Sequence, residues 1–140
     1  MKSVLEKKWI TNAGNVACVV VAYNGVTGRA SHRCGYVAIK RGSEAFRKHY
    51  SELMNIDAHG GLTFSEATLK LCDLDDVWWI GFDCMHNGDR VIDPGPQDVV
   101  FPDDKVRSLE YCIYQCEHIA QQVAYEDADA RWERSNGGQS

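Results

Sequence analysis

Apolar residues fall along this chain in short blocks that alternate between two periods. Residues 16–23 form a Val-rich run flanked by Asn12-Ala13-Gly14-Asn15 and Asn24-Gly25, the pattern of a buried strand between turns. Residues 35–40, Gly-Tyr-Val-Ala-Ile-Lys, predict a second strand. Residues 43–54 place Phe46, Tyr50, Leu53 and Met54 at helical spacing behind Ser43 as N-cap, so a short helix is expected there. Residues 59–65 are Gly-rich, then β-prone. Over 65–74 the alternation of Leu69 and Leu71 competes with the helix formers Glu66, Ala67 and Lys70, and both readings stay open. Val77-Trp78-Trp79-Ile80-Gly81-Phe82-Asp83 is a continuous apolar run suited to a central strand with both faces covered. A loop over 84–102, holding all three prolines, leads to a long helix over 105–131 that Asp103 or Asp104 can cap. Its apolar stripe is read as Val106, Leu109, Ile113, Cys116, Ala120 and Val123, with Gln115 on the opposite, solvent face.

These elements predict an α+β fold. A small, mostly antiparallel sheet of three to five strands should pack against a long C-terminal amphipathic helix and a shorter helix. Trp78 and Trp79 should point to opposite faces of their strand, one toward the helix and one toward the 43–54 segment or a partner. A single domain is expected over 1–134, with a flexible tail at 135–140.

Charge and cysteine usage narrow the class. The formal net charge is -5, which argues against direct nucleic-acid binding because that requires a basic face. The first eight residues lack the apolar core of a secretory leader, and the longest apolar run, 16–22, is far short of a membrane span. A cytosolic location follows as an expectation. Six cysteines, Cys18, Cys34, Cys72, Cys84, Cys112 and Cys116, are expected to be mostly reduced there. No CxxC pair occurs, and most of these thiols sit in apolar segments. Cys84 alone falls in a predicted loop, which makes it the candidate reactive thiol.

Chemistry concentrates in two segments. His59 precedes Gly60 and Gly61, whose amides could line an anion-binding concavity or simply turn the chain into a strand. Asp83, Cys84, His86 and Asp89 follow the best strand, where rigid scaffolds hold functional groups. Asp83 beside His86 could set a tautomer for general acid–base work, or the same residues could form a polar network. If His59 folds beside them, then His59, Asp83, His86 and Asp89 make a candidate metal or hydrolytic site. His59, Gly60, Gly61, Asp83, His86 and Asp89 make a candidate ligand site. Lys40, Arg41, Arg47, Lys48 and His49 form a local basic patch that reads as a solvated face or an anion contact. Trp132, on the acidic end of the long helix, either folds back or meets a partner. Walker, GxGxxG, GxSxG and HExxH signatures are absent, so enzyme and binding readings both stand and no cofactor is implied beyond a possible metal.

The pair His59-Gly60-Gly61-Leu62-Thr63-Phe64-Ser65 and Trp78-Trp79-Ile80-Gly81-Phe82-Asp83-Cys84-Met85-His86-Asn87-Gly88-Asp89 resembles a family of small bacteriophage and prophage proteins. That family pairs an HGGLT(F/Y)S element with WxGFDxxHxGD. Gly35-Tyr36-Val37-Ala38-Ile39 and Arg107-Ser108-Leu109-Glu110-Tyr111-Cys112 extend the likeness over about residues 34–124. Many members carry Gly-His-Pro after the first motif strand. Here Lys40-Arg41-Gly42-Ser43-Glu44 lacks both His and Pro. The resemblance implies phage origin and a site of action in host cytoplasm, and it brings no activity with it. It leads to the expectation of a viral protein that inhibits a host factor by binding it, such as an immune effector like a CRISPR–Cas complex. The rival expectations are a binder of a nucleotide-like ligand at the His59–Asp83 region and a metal-dependent hydrolase built on His59, Asp83, His86 and Asp89.

Overall fold

A computed structural model describes residues 2–137. It is α+β, as the pattern predicts. Five strands, β1 (Lys2–Ile10), β2 (Val16–Tyr23), β3 (Ala30–Lys40), β4 (Phe64–Glu66) and β5 (Val77–Asp83), form one sheet in the order β1-β2-β3-β5-β4. Every neighbouring pair is antiparallel. Helix α1 (Leu109–Asn136) lies across β2 and β3.

Alternation divides the strands between two cores. On the helix side, Ala17, Val19, Val37, Ile39, Ile80 and Phe82 meet Cys112, Cys116, Ile119, Ala120 and Val123 of α1. Gly35 allows this approach, since a Cβ there would stand 2.4 Å from the Phe82 ring and 2.9 Å from Cys116 Sγ. On the other side, Cys18, Val20, Cys34, Ala38 and Trp79 are covered by Phe64, Leu69, Cys72 and Leu74. The two tryptophans take opposite faces as expected, but the face away from the helix is covered by residues 64–74, and the 43–54 segment lies on the helix side with Trp78. Trp79 is fully buried in the second core, whereas Trp78 lies on the helix side and donates its indole N–H to the Lys48 carbonyl at 2.8 Å.

Four points differ from, or go beyond, the pattern's expectations. First, the 43–54 segment forms turns and one 3-10 turn, η1 (Tyr50–Glu52), instead of a helix; Arg47 at φ 65° breaks the run, while Ala45, Phe46, Leu53 and Ile56 still reach the core. Second, β1 is a strand without an apolar signal. It is an edge strand, nearly all exposed and carrying Lys7 and Lys8, as edges that avoid further pairing do. Third, α1 begins at Leu109, where Ser108 Oγ accepts from Tyr111 N at 3.1 Å, so neither Asp103 nor Asp104 is its cap. It continues through residues 135 and 136, which were expected to belong to a tail; 138–140 lie outside the described residues. Fourth, the buried stripe is rotated. Cys112 and Ile119 join Cys116 and Ala120 as its fully buried members, Leu109 and Ile113 are half-buried, and Val106 precedes the helix and is exposed.

Candidate functional site

The two motif segments meet at one end of the sheet. His59 follows Ala58, and its backbone N–H donates to Gln115 Oε1 of α1 at 3.0 Å. Gly60 then turns at φ 66° and packs flat on His86: a Cβ at Gly60 would sit 2.3 Å from that ring. The His59 and His86 rings are thereby 5.8 Å apart. After β5 the chain bends through His86 to Asp89, whose amide donates to the His86 carbonyl at 2.9 Å.

Asp89 is the centre of the network, with its side chain only 1% exposed. One carboxylate oxygen accepts from Arg107 Nε at 2.7 Å; the other accepts from His59 Nε2 at 2.8 Å and from His86 N at 3.0 Å. On the far side of His59, Nδ1 lies 2.7 Å from the Tyr111 hydroxyl. With the ring proton on Nε2, His59 donates to Asp89 and accepts from Tyr111, which uses both nitrogens. Burial alone would push the Asp89 carboxyl up. The hydrogen bonds from His59, Arg107 and the His86 amide outweigh that, and hold it below the ordinary value of 3.8. Arg33 completes the surroundings, donating to the Arg107 carbonyl at 2.9 Å and pairing with Glu6.

Asp83 stands apart from this network. Its carboxylate accepts from Thr63 Oγ1 at 2.9 Å and Met85 N at 3.0 Å. His86 Nε2 is 3.2 Å from Asp83 Oδ1 but out of line for a hydrogen bond, so that enclosed nitrogen has no directed partner. The expected closeness of His59 to His86 is therefore found. A joint four-residue metal set is not: among the described residues no three His, Cys, Asp or Glu side chains converge as ligands. The anion concavity is also not free, because the Gly61 amide donates to the Ala58 carbonyl at 2.9 Å and Gly60 is filled by His86.

Other expected residues sort out readily. Cys84 is buried beside Cys112, Sγ to Sγ 3.7 Å, and that hydrogen bond together with burial pushes its thiol well up; it is no reactive loop cysteine. All six cysteines are free and buried. In the basic patch, Arg41 pairs with Asp76 at 2.6 Å, Arg41 and Arg47 both lie over the Phe46 ring, and His49 caps η1. Trp132 points outward, 61% exposed. Gln115, read as a solvent-face residue, instead holds the His59 backbone. Arg107 and Tyr111 were not singled out as site residues; Arg107 precedes the Ser108 cap and Tyr111 lies in the first turn of α1, and the Arg107 guanidinium lies 5.3 Å from the Tyr111 ring centre.

The network grips both ends of one loop. Arg90 N donates to the Lys105 carbonyl, and Lys105 N to the Gly88 carbonyl, each at 2.8 Å; Asp89 and Lys105 form an isolated bridge. Residues 90–104 thus leave and return at a single clamp, the geometry of an Ω-loop. The Ile92 and Asp93 amides pin the loop to Ser31 and Ala30 at the start of β3, and Asp98 and Asp104 fold back on the Gly95 and Phe101 amides. Its tip presents Val99, Val100 and Phe101, 76%, 42% and 62% exposed. Comparison of the chain with protein-family models, curated proteins and solved structures finds no match to any of them. No described helix is long and apolar enough to cross a membrane.

Proposed function

We propose that this protein works by binding another protein through the tip of the 90–104 loop, as a phage-type inhibitor of a host factor in the host cytoplasm. The observation that carries this reading is the exposed Val99-Val100-Phe101 run held on a clamped base. Three consecutive exposed apolar residues are a liability unless a partner covers them. The His59–Asp89–Arg107–Tyr111 network then serves as foundation. Both ring nitrogens of His59 and both carboxylate oxygens of Asp89 are engaged inside the protein. The phage resemblance supplies the class of partner, a host defence component such as an immune effector complex. The net charge of -5 is consistent with a basic surface on that partner.

The rival readings have less support. A hydrolase needs a metal set, which does not converge among the described residues, or an accessible general base, whereas His59 is engaged and the unpartnered His86 Nε2 is enclosed. A nucleotide-like ligand would need a cationic pocket. A groove of about 480 Å³ beside Met85 offers Arg29, which is paired with Asp93 at 3.2 Å. The test is affinity capture from host lysate with wild type and Phe101→Ser in parallel. One host protein retained by wild type, and lost with Phe101→Ser at unchanged melting temperature, is the expected result. Equal capture by both, or stoichiometric metal or nucleotide in the purified protein, overturns the reading.

A further inference from the structure

Helix α1 has a second row of side chains that the sheet does not use. Tyr114, His118, Gln121, Tyr125, Ala128 and Trp132 follow one another at steps of 4, 3, 4, 3 and 4 residues, the spacing of a coiled-coil seam. The row covers about 27 Å of helix at 1.5 Å per residue. Tyr114, Tyr125 and Trp132 are 63%, 75% and 61% exposed. His118 stacks parallel to Tyr114 and leans on Asp57 at 3.2 Å. Beyond Val123 no residue of α1 is buried, yet the helix continues for three more turns. Free helical segments of that length are marginal in water.

We propose that this row pairs with the same row of a second copy of the chain, antiparallel, about a two-fold axis at the level of Val123. In that register large residues face small or flat ones. Tyr114 meets Trp132 of the second copy, His118 meets Ala128, and Gln121 meets Tyr125. The flanks are complementary as well. Glu117, whose carboxylate already accepts from Trp9 Nε1 and Asn12 N and keeps its charge, falls beside Arg131 on one side of the seam. On the other, Gln115 falls beside Asp129, with its amide N–H₂ free to donate because its oxygen already holds the His59 backbone. A parallel pairing instead stacks Trp132 on Trp132 and Gln121 on Gln121, and brings no opposite charges together. Antiparallel helices also align their dipoles favourably. The occupant is therefore a second copy, on a surface separate from the 90–104 loop, and this inference stands whether or not a host partner binds that loop.

Light scattering of the purified chain should give twice the 15.7 kDa chain mass at about 100 μM, and a monomer for Tyr125→Glu with its far-UV spectrum unchanged. Register is read by mixing Gln121→Cys and Tyr125→Cys proteins under mild oxidation. The antiparallel seam gives the mixed disulfide, and Gln121→Cys alone gives little homodimer. A wild-type monomer at that concentration, a dimer that survives Tyr125→Glu, or efficient Gln121→Cys self-crosslinking overturns the proposal. A monomer whose capture of a host protein is lost with Trp132→Ala also overturns it, and assigns the row to that partner.

Discussion

Replacing Asp89 with Asn tests whether the network is a clamp. The substitution keeps size and removes the charge that three donors share. Removing one member of a fully buried ion pair costs about 3–5 kcal/mol. Here Asp89 is enclosed but the Arg107 side chain is 24% exposed, so solvent takes back part of that. Asn also keeps one accepting oxygen. A loss of about 2–4 kcal/mol follows, and at about 3–5 °C per kcal/mol for a chain of this size the melting temperature should fall by about 6–20 °C. The Arg90 and Lys105 amides, which close the loop base, should exchange at least about tenfold faster. The pH dependence has a definite sign. The folded carboxyl lies below 3.8, so its contribution is fully present above that value and is lost as pH falls through the folded pKa. The gap between wild type and Asp89→Asn should therefore be constant from neutral pH to about pH 5, and close on further acidification. Urea unfolding at several pH values, with hydrogen exchange, measures all three. A loss under about 0.5 kcal/mol, or a gap that widens in acid, refutes the clamp.

Gly60→Ala combines a left-handed φ of 66° with a Cβ 2.3 Å from the His86 ring and should cost at least about 2 kcal/mol; Gly61→Ala, at φ 85° in open space, should cost about 1 kcal/mol, both read from urea midpoints. Ile119→Ala should lose about 2–5 kcal/mol, clearly more than Ile113→Ala at the half-buried edge of the stripe, and equal losses would mean that the helix is rotated from the face described. All six thiols should react with an alkylating agent in denaturant and be slow in the native protein. Burial, with Cys72 nearby, pushes Cys18 up to about 12, and rapid native labelling would contradict its burial.

The central strands and the long helix were legible because burial on both faces of β2 and β5 leaves unbroken apolar runs. What the pattern could not show was decided by solvent or by distant contacts. β1 is an edge whose lysines and single glutamate erase alternation, although Trp9 still tucks in to donate to Glu117 at 2.8 Å. The 43–54 segment has helical spacing, but Phe46 and Leu53 reach the core from turns bent by Arg47. In α1, the apolar count favoured Ile113 over Cys112, and the difference of one position turned Gln115 from an outer residue into a support for His59. Asp89 and His59 were visible as types. That Asp89 would accept from both His59 and Arg107, with Asp83 left apart, depends on how the return of the loop places the start of α1.

The residue types that suggested catalysis are the same ones that satisfy a buried charge. What separates the two uses is whether a lone pair or proton is left facing solvent. In this network His59 has both ring nitrogens engaged, and both Asp89 oxygens accept from groups within the protein. The proposed function therefore rests on what the network holds in place. Ordering a loop residue costs about 1–2 kcal/mol of backbone entropy. If that cost fell on association, ordering even three tip residues would offset most of what a few apolar contacts contribute. Folding meets it in advance here, because residues 90–104 are tied at the base by Gly88, Asp89 and Lys105 and along one arm by Ser31 and Ala30. Val99, Val100 and Phe101 are presented already ordered. A preorganised apolar tip binds more tightly than the same residues on a free chain, and that is the physical reason to place the binding surface there and the polar motifs beneath it.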